Sequence, residues 1–183
     1  MKKLALCIAS LLVVPVFALA GVGAAAPPQF APGFAEGRVP FDLGAGTLES
    51  QVVAHPRIHL TPAARGDVEA ARIDPRVLQV LLVLAQHHEL NRVGPLSSGH
   101  SYFVKGTNRV SNHIPGRAVD ISVIDGVPVS VNNHQAYAAA RLVASLAPPL
   151  RPDELGGPWR IEAAGMYSFT KDHGRHLHIG FSR

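Results

Sequence analysis

The sequence predicts an α+β domain: a small antiparallel sheet covered on one face by helices. Val77, Val80, Leu81 and Leu84 recur at i, i+3, i+4 and i+7, with Leu78 and Leu82 widening the stripe, which is the spacing of a buried helix. Ala139, Leu142, Val143 and Leu146 repeat that spacing. Val119, Ile121 and Val123, and again Leu177, Ile179 and Phe181, alternate instead at period two, as in strands with one face in a core. Helices interrupted by short hairpin-like strands make an α+β layer rather than a parallel βαβ array.

The elements follow in order. Thr61-Pro62 is an N-cap and first-turn proline for a helix through about Arg72, and Asp74-Pro75 repeats the signal for the apolar helix behind it. Extended pieces are expected from Leu90 to Leu96 and from Ala118 to Ile124, with a loop to Ser111 between them and a turn at Asp125-Gly126. Asn132 or Asn133 caps the next helix, which Pro148-Pro149 ends. Two further strands are expected near Trp159 to Glu162 and His176 to Phe181. No internal repeat is visible.

The N-terminus bears on compartment. Lys2 and Lys3 precede an apolar run from Leu4 to Ala20, and Ala18-Leu19-Ala20 has the small-x-small form of a cleavage site, so residues 1–20 read as a signal peptide. Ala24-Ala25-Ala26 allows a cut as late as residue 26, although Pro27 disfavours it. Pro15 within the run and the lack of a basic flank after it argue against a membrane anchor. A secreted protein at the cell wall or outside the cell is expected. Cys7, the only cysteine, leaves with the signal, which excludes disulfides and a thiol nucleophile. Residues 21–54 read as a flexible Pro/Gly-rich arm and residues 55–183 as the folded domain.

Without Lys2 and Lys3, 15 Lys and Arg face 13 Asp and Glu, a net charge of about +2. No basic cluster is interleaved with aromatics, so a nucleic-acid surface is not expected. An anionic wall polymer is compatible with the charge but not singled out by it. There is no G-x-S-x-G elbow either.

The chemistry concentrates in Ser111-Asn112-His113-Ile114-Pro115-Gly116-Arg117-Ala118-Val119-Asp120 and His176-Leu177-His178. Strand alternation turns Asp120, His176 and His178 to one face while their neighbours enter the core. Gly116 supplies the dihedral freedom to bring His113 back toward Asp120, and Pro115 stiffens that loop. Two imidazoles and a carboxylate are the donors of a hydrolytic zinc site whose fourth position is left to water. His100 and His173 are further candidates near the site that read first as structural or solvent-facing, and His55, His59, His87, His88 and His134 read as core or surface residues.

Ser111-x-His113-x-x-Gly116-x-Ala118-x-Asp120 resembles the signature of the zinc D-alanyl-D-alanine peptidases that cut peptidoglycan peptides, within the lysostaphin and hedgehog-type metallopeptidase group. His176-x-His178 is similar to that group's second motif, and Gly99-His100-Ser101 through Thr107-Asn108-Arg109 resembles secreted actinobacterial proteins of this kind. The resemblance covers roughly residues 97–181. It implies one zinc ion held by His113, Asp120 and His178, with peptidoglycan stem peptides or cross-links as substrate. A glutamate base is usual three residues before the last ligand, but this chain has Arg175 there. The catalytic role then falls to His176, or to Asp172. The substitution also leaves a second reading open, a catalytically silent wall-binding module that keeps the fold.

Ser111 is placed to hydrogen-bond a ligand and reads equally as a loop serine. Arg109 and Arg117 have the geometry to grip a peptide carboxylate and read equally as solvated arginines. Trp159, Tyr167 and Phe169 line a groove or belong to the core.

Overall fold

The protein is described by a computed structural model whose described residues are 46–182. The expected signal peptide and most of the expected arm lie outside them.

Each helix begins where a side-chain oxygen can take up a free amide of the first turn. Helix α1 (Leu48–Ala54) is capped by Thr47, α2 (Pro62–Glu69) by Thr61, α3 (Pro75–His87) by Asp74 and α4 (His134–Ser145) by Asn133. Proline in the first turn of α2 and α3 gives up an amide that has no helical partner there anyway. Helix α1 falls inside the stretch read as a flexible arm. Its Val52 is fully buried and joins the common core, so the folded part reaches back at least to Leu48. Helix α3 is the central helix that its stripe implies, with Val77, Leu78 and Val80 to Ala85 all buried.

The strands are β1 (Ile58–Leu60), β2 (Leu90–Val93), β3 (Ala118–Ile124), β4 (Val127–Pro128), β5 (Glu154–Gly156), β6 (Tyr167–Phe169) and β7 (Leu177–Gly180). They form one seven-stranded sheet in the order β1-β2-β3-β7-β5-β6, with β4 paired to β3. The centre is antiparallel, and both outer pairs, β1 with β2 and β5 with β6, are parallel. The α+β class therefore holds.

Three local departures have physical causes. Residues 159–162 are not a strand; the ladder beside β7 is filled by β5, while Pro158 has no amide to donate. Val123 is half-buried and Ile124 takes the core position, because the β2–β3 register shifts on either side of Arg92. His176 precedes β7 instead of opening it.

The two middle strands carry the two motifs. Asp120 on β3 is paired with His178 on β7, and Val119 with Ile179. Val119, Ile121, Leu177, Ile179 and Phe181 are buried in the core that α3 and α4 complete. Among the described residues no helix is long and apolar enough to cross a membrane.

Candidate metal centre

Backbone contacts fix the first motif before any side chain is considered. The amide of Asp120 donates to the carbonyl of Pro95 and the amide of Gly94 to the carbonyl of Asp120, which locks β3 against the 94–95 segment. Buried Asp67 accepts from the amides of Ser97 and Ser98 and from the Ser98 hydroxyl, holding the start of the long loop. Gly116 sits at φ +71°, and its carbonyl accepts from the amide of Asp74. A Cβ there would overlap the carbonyl oxygen of Arg72, so the turn that returns the chain from His113 to Asp120 requires glycine. Ser111 is buried, and its hydroxyl accepts from the amide of His113 at 3.3 Å, shaping the loop under that imidazole.

His113, Asp120 and His178 are all buried and meet at one point. His178 Nδ1 lies 2.9 Å from Asp120 Oδ1 and 3.2 Å from His113 Nε2, and His113 Nε2 lies 3.3 Å from the same carboxylate oxygen. Donors about 2.0–2.1 Å from a tetrahedral ion sit about 3.4 Å apart, so these three atoms nearly mark one face of such a tetrahedron. The chemistry of the donors agrees with the spacing. His113 Nδ1 faces the carbonyl of Leu96 at 2.5 Å, and a carbonyl can only accept. Nδ1 therefore carries the proton and the Nε2 lone pair is turned inward.

The surroundings favour positive charge at that point. Burial opposes protonation of His178, yet Asp120 and Glu154 outweigh it and raise the imidazole to about 9. Burial likewise opposes the charge of Asp120, and the hydrogen bond from His178 Nδ1 together with the attraction of that ring holds its carboxyl far below the usual carboxylate range. At pH 7 the His178 imidazole is therefore protonated and sets a positive charge between the carboxylates of Asp120 and Glu154.

Three further imidazoles surround the triad. His100 stacks on His113, with ring centroids 4.0 Å apart and planes 12° from parallel. Its ligand atom, with those of His113 and Asp120, falls within a 4.8 Å group able to hold a metal ion. His100 Nδ1 faces the carbonyl of Ser101 at 2.9 Å and therefore carries the proton, which leaves the Nε2 lone pair as its ligand atom. His176 Nε2 lies 3.8 Å from Asp120 Oδ2, and the His173 ring lies 4.6 Å from that of His176. Burial holds His100, His173 and His176 below the ordinary imidazole value, so all three are neutral near pH 7. His100 and His173, secondary candidates by sequence, both lie beside the triad; a stacked ring from a distant loop leaves no periodic signal.

Glu154 is the other residue that sequence reasoning passed over. Its Oε2 is 3.7 Å from His178 Nε2 and accepts from Asn112 Nδ2 at 2.9 Å, while Oε1 accepts from Arg109 Nη1 at 2.8 Å. Burial opposes its ionisation, but His178 and Arg109 prevail and keep its carboxyl below the usual range.

The remaining expected site residues lie around this centre or away from it. Arg109 is paired with Glu154, and Arg117 donates to the carbonyl of Ser182. Asp172 is exposed and pairs with Lys105 at 3.4 Å, and Arg175 is exposed. Phe169 meets His173 edge-on at 4.6 Å and Tyr167 stacks on Phe169, so this pair borders the centre. Trp159 packs on Tyr137 and donates to the carbonyl of Val131.

Fold and site together define an α+β domain in which Asp120 of a central strand and His113 and His100 of the preceding loop form a His–His–Asp group able to hold a metal ion, with His178 of the neighbouring strand against it. Searches against family models, curated proteins and solved structures found no match.

Proposed function

We propose that the protein is a secreted zinc-dependent peptidase or amidohydrolase of the D-alanyl-D-alanine peptidase type, acting on peptidoglycan stem peptides or cross-links. The observation that carries this reading is the convergence of His113 Nε2, Asp120 Oδ1 and His178 Nδ1 to within 2.9–3.3 Å of one another. Two imidazoles and one carboxylate suit zinc, and a bound zinc ion would polarise a scissile carbonyl and lower the pKa of a water toward about 7. His176 is the proton carrier in this scheme: a neutral imidazole 3.8 Å from Asp120 accepts a proton from the attacking water and returns it to the leaving amine. Asp172 is less suited to that part because its carboxylate is engaged by Lys105. Phe169 and Tyr167 offer a flat apolar border along which a peptide can lie.

A second reading, a wall-binding module without turnover, is favoured by one observation: the two carboxylates at the centre, Asp120 and Glu154, are both held by partners. Digestion of purified peptidoglycan by the zinc-loaded domain separates the two. Released peptides or amino acids are expected from the wild type, with loss of about 10²–10⁴-fold in His176→Ala, which keeps its zinc. Zinc-loaded wild type that sediments with peptidoglycan but releases nothing overturns the enzymatic reading.

A further inference from the structure

We propose that Glu154 is a positioning residue of the metal centre, its carboxylate receiving the Nε2–H of His178 so that Nδ1 is turned to the ion. This rests on the reading of His113, Asp120 and His178 as metal ligands and adds a residue that neither motif contains.

Strand pairing puts the carboxylate there. On β5 and β7, Glu154 is paired with Gly180 and Gly156 with His178, so Glu154 and His178 are diagonal neighbours on one face of an antiparallel pair. The directly opposed positions are both glycine. A Cβ on Gly180 would stand 3.0 Å from His178 Nε2, 3.4 Å from Glu154 Oε2 and 3.5 Å from Asn112 Nδ2. The missing side chain is thus the space in which imidazole, carboxylate and amide come together. A Cβ on Gly156 would press within 2.7 Å of the His173 and Phe169 rings, so that glycine keeps room for the border of the same site.

The carboxylate is itself oriented. Arg109 Nη1 holds Oε1 at 2.8 Å and Asn112 Nδ2 holds Oε2 at 2.9 Å, which leaves the remaining acceptor capacity of Oε2 for His178 Nε2 at 3.7 Å. Asn112 precedes the ligand His113, so the first motif holds the group that faces the last ligand. His113 is hydrogen-bonded to the carbonyl of Leu96 through Nδ1, and His178 Nε2 faces the Glu154 carboxylate at 3.7 Å, an ion-pair distance from which a small approach makes the corresponding bond. A carboxylate behind a ligating imidazole fixes its tautomer and strengthens it as a donor. Arg109, a candidate for gripping substrate by sequence, acts here through Glu154.

The test is Zn²⁺ and Co²⁺ affinity of the purified domain by chelator competition, with the visible spectrum of the Co²⁺ form and the unfolding midpoint of the metal-free form. Glu154→Ala is expected to weaken both metals about 10–100-fold and to move the Co²⁺ bands. Glu154→Gln keeps an amide oxygen to accept from Nε2 and is expected to lose less. Arg109→Ala, a surface change expected to fold normally, should fall between wild type and Glu154→Ala. If Glu154→Ala does not fold, the other two variants carry the test. Variants with wild-type dissociation constants and spectra, altered only in unfolding midpoint, overturn the inference and leave the metal centre standing. Wild type that takes up neither ion overturns the metal reading itself.

Discussion

Metal binding should be strongly pH-dependent, in a direction set by His178. Its imidazole is raised from 6.5 to about 9 in the metal-free fold, and its side chain is only 8% exposed. At pH 7 almost every metal-free molecule carries a proton where the ion must sit. Each ion bound therefore releases about one proton, and affinity should rise about tenfold per pH unit from pH 7 to about 9, then level off. The same shift has a consequence for stability. A folded-state value above the unfolded one means that protonated His178 stabilises the metal-free fold fully below about pH 6.5. That contribution, on the order of 3 kcal/mol at 1.36 kcal/mol per unit, is lost as pH rises through about 9. It is the attraction to Asp120 and Glu154 and is not to be added again to theirs. Calorimetric titration of Zn²⁺ at pH 7 in buffers of different ionisation enthalpy reads the proton count directly. Near zero released protons, with affinity flat from pH 7 to 9, would refute the reasoning.

Other perturbations test the scaffold and the site separately. Gly116→Ala should lower stability by about 2–4 kcal/mol in urea denaturation, since it combines a φ of +71° with overlap on the Arg72 backbone. Asn133→Ala removes the cap of α4 and two donations to the carbonyls of Val127 and Pro128, and should cost about 1–3 kcal/mol by the same measurement. Leu81→Ala, in the fully buried stripe of α3, should cost about 2–5 kcal/mol through the cavity it leaves. His100→Ala, which removes a stacked ring but no donor of the tight triad, should change metal affinity by less than about tenfold, read by chelator competition.

Much of this arrangement is legible in the sequence because it rests on local periodicity and capping. The stripe of α3 and the caps at Thr61, Asp74 and Asn133 are patterns of a few adjacent residues, and the structure has helices at each. Alternation along 118–121 and 177–179 turns Asp120 and His178 away from the apolar neighbours Val119 and Ile179, and direct pairing of the two strands adds the register. What escaped depends on contacts distant in the chain. Glu154 reaches His178 through a strand of three residues that ends in glycine, too short to show a period of two. His100 reaches His113 by ring stacking from a loop, and no spacing rule encodes that. The displaced alternation at Val123 follows from register shifts opposite Arg92, which depend on the partner strand and not on β3 alone.

The most direct measurement is metal content per chain after equilibration with Zn²⁺ and removal of loosely held ions, in wild type and in His113→Ala, Asp120→Ala and His178→Ala. The expected result is close to one ion per folded wild-type chain, with at least a hundredfold weaker binding in each variant. Folded wild type without bound zinc, or a folded His178→Ala variant that holds zinc as tightly as wild type, would contradict it.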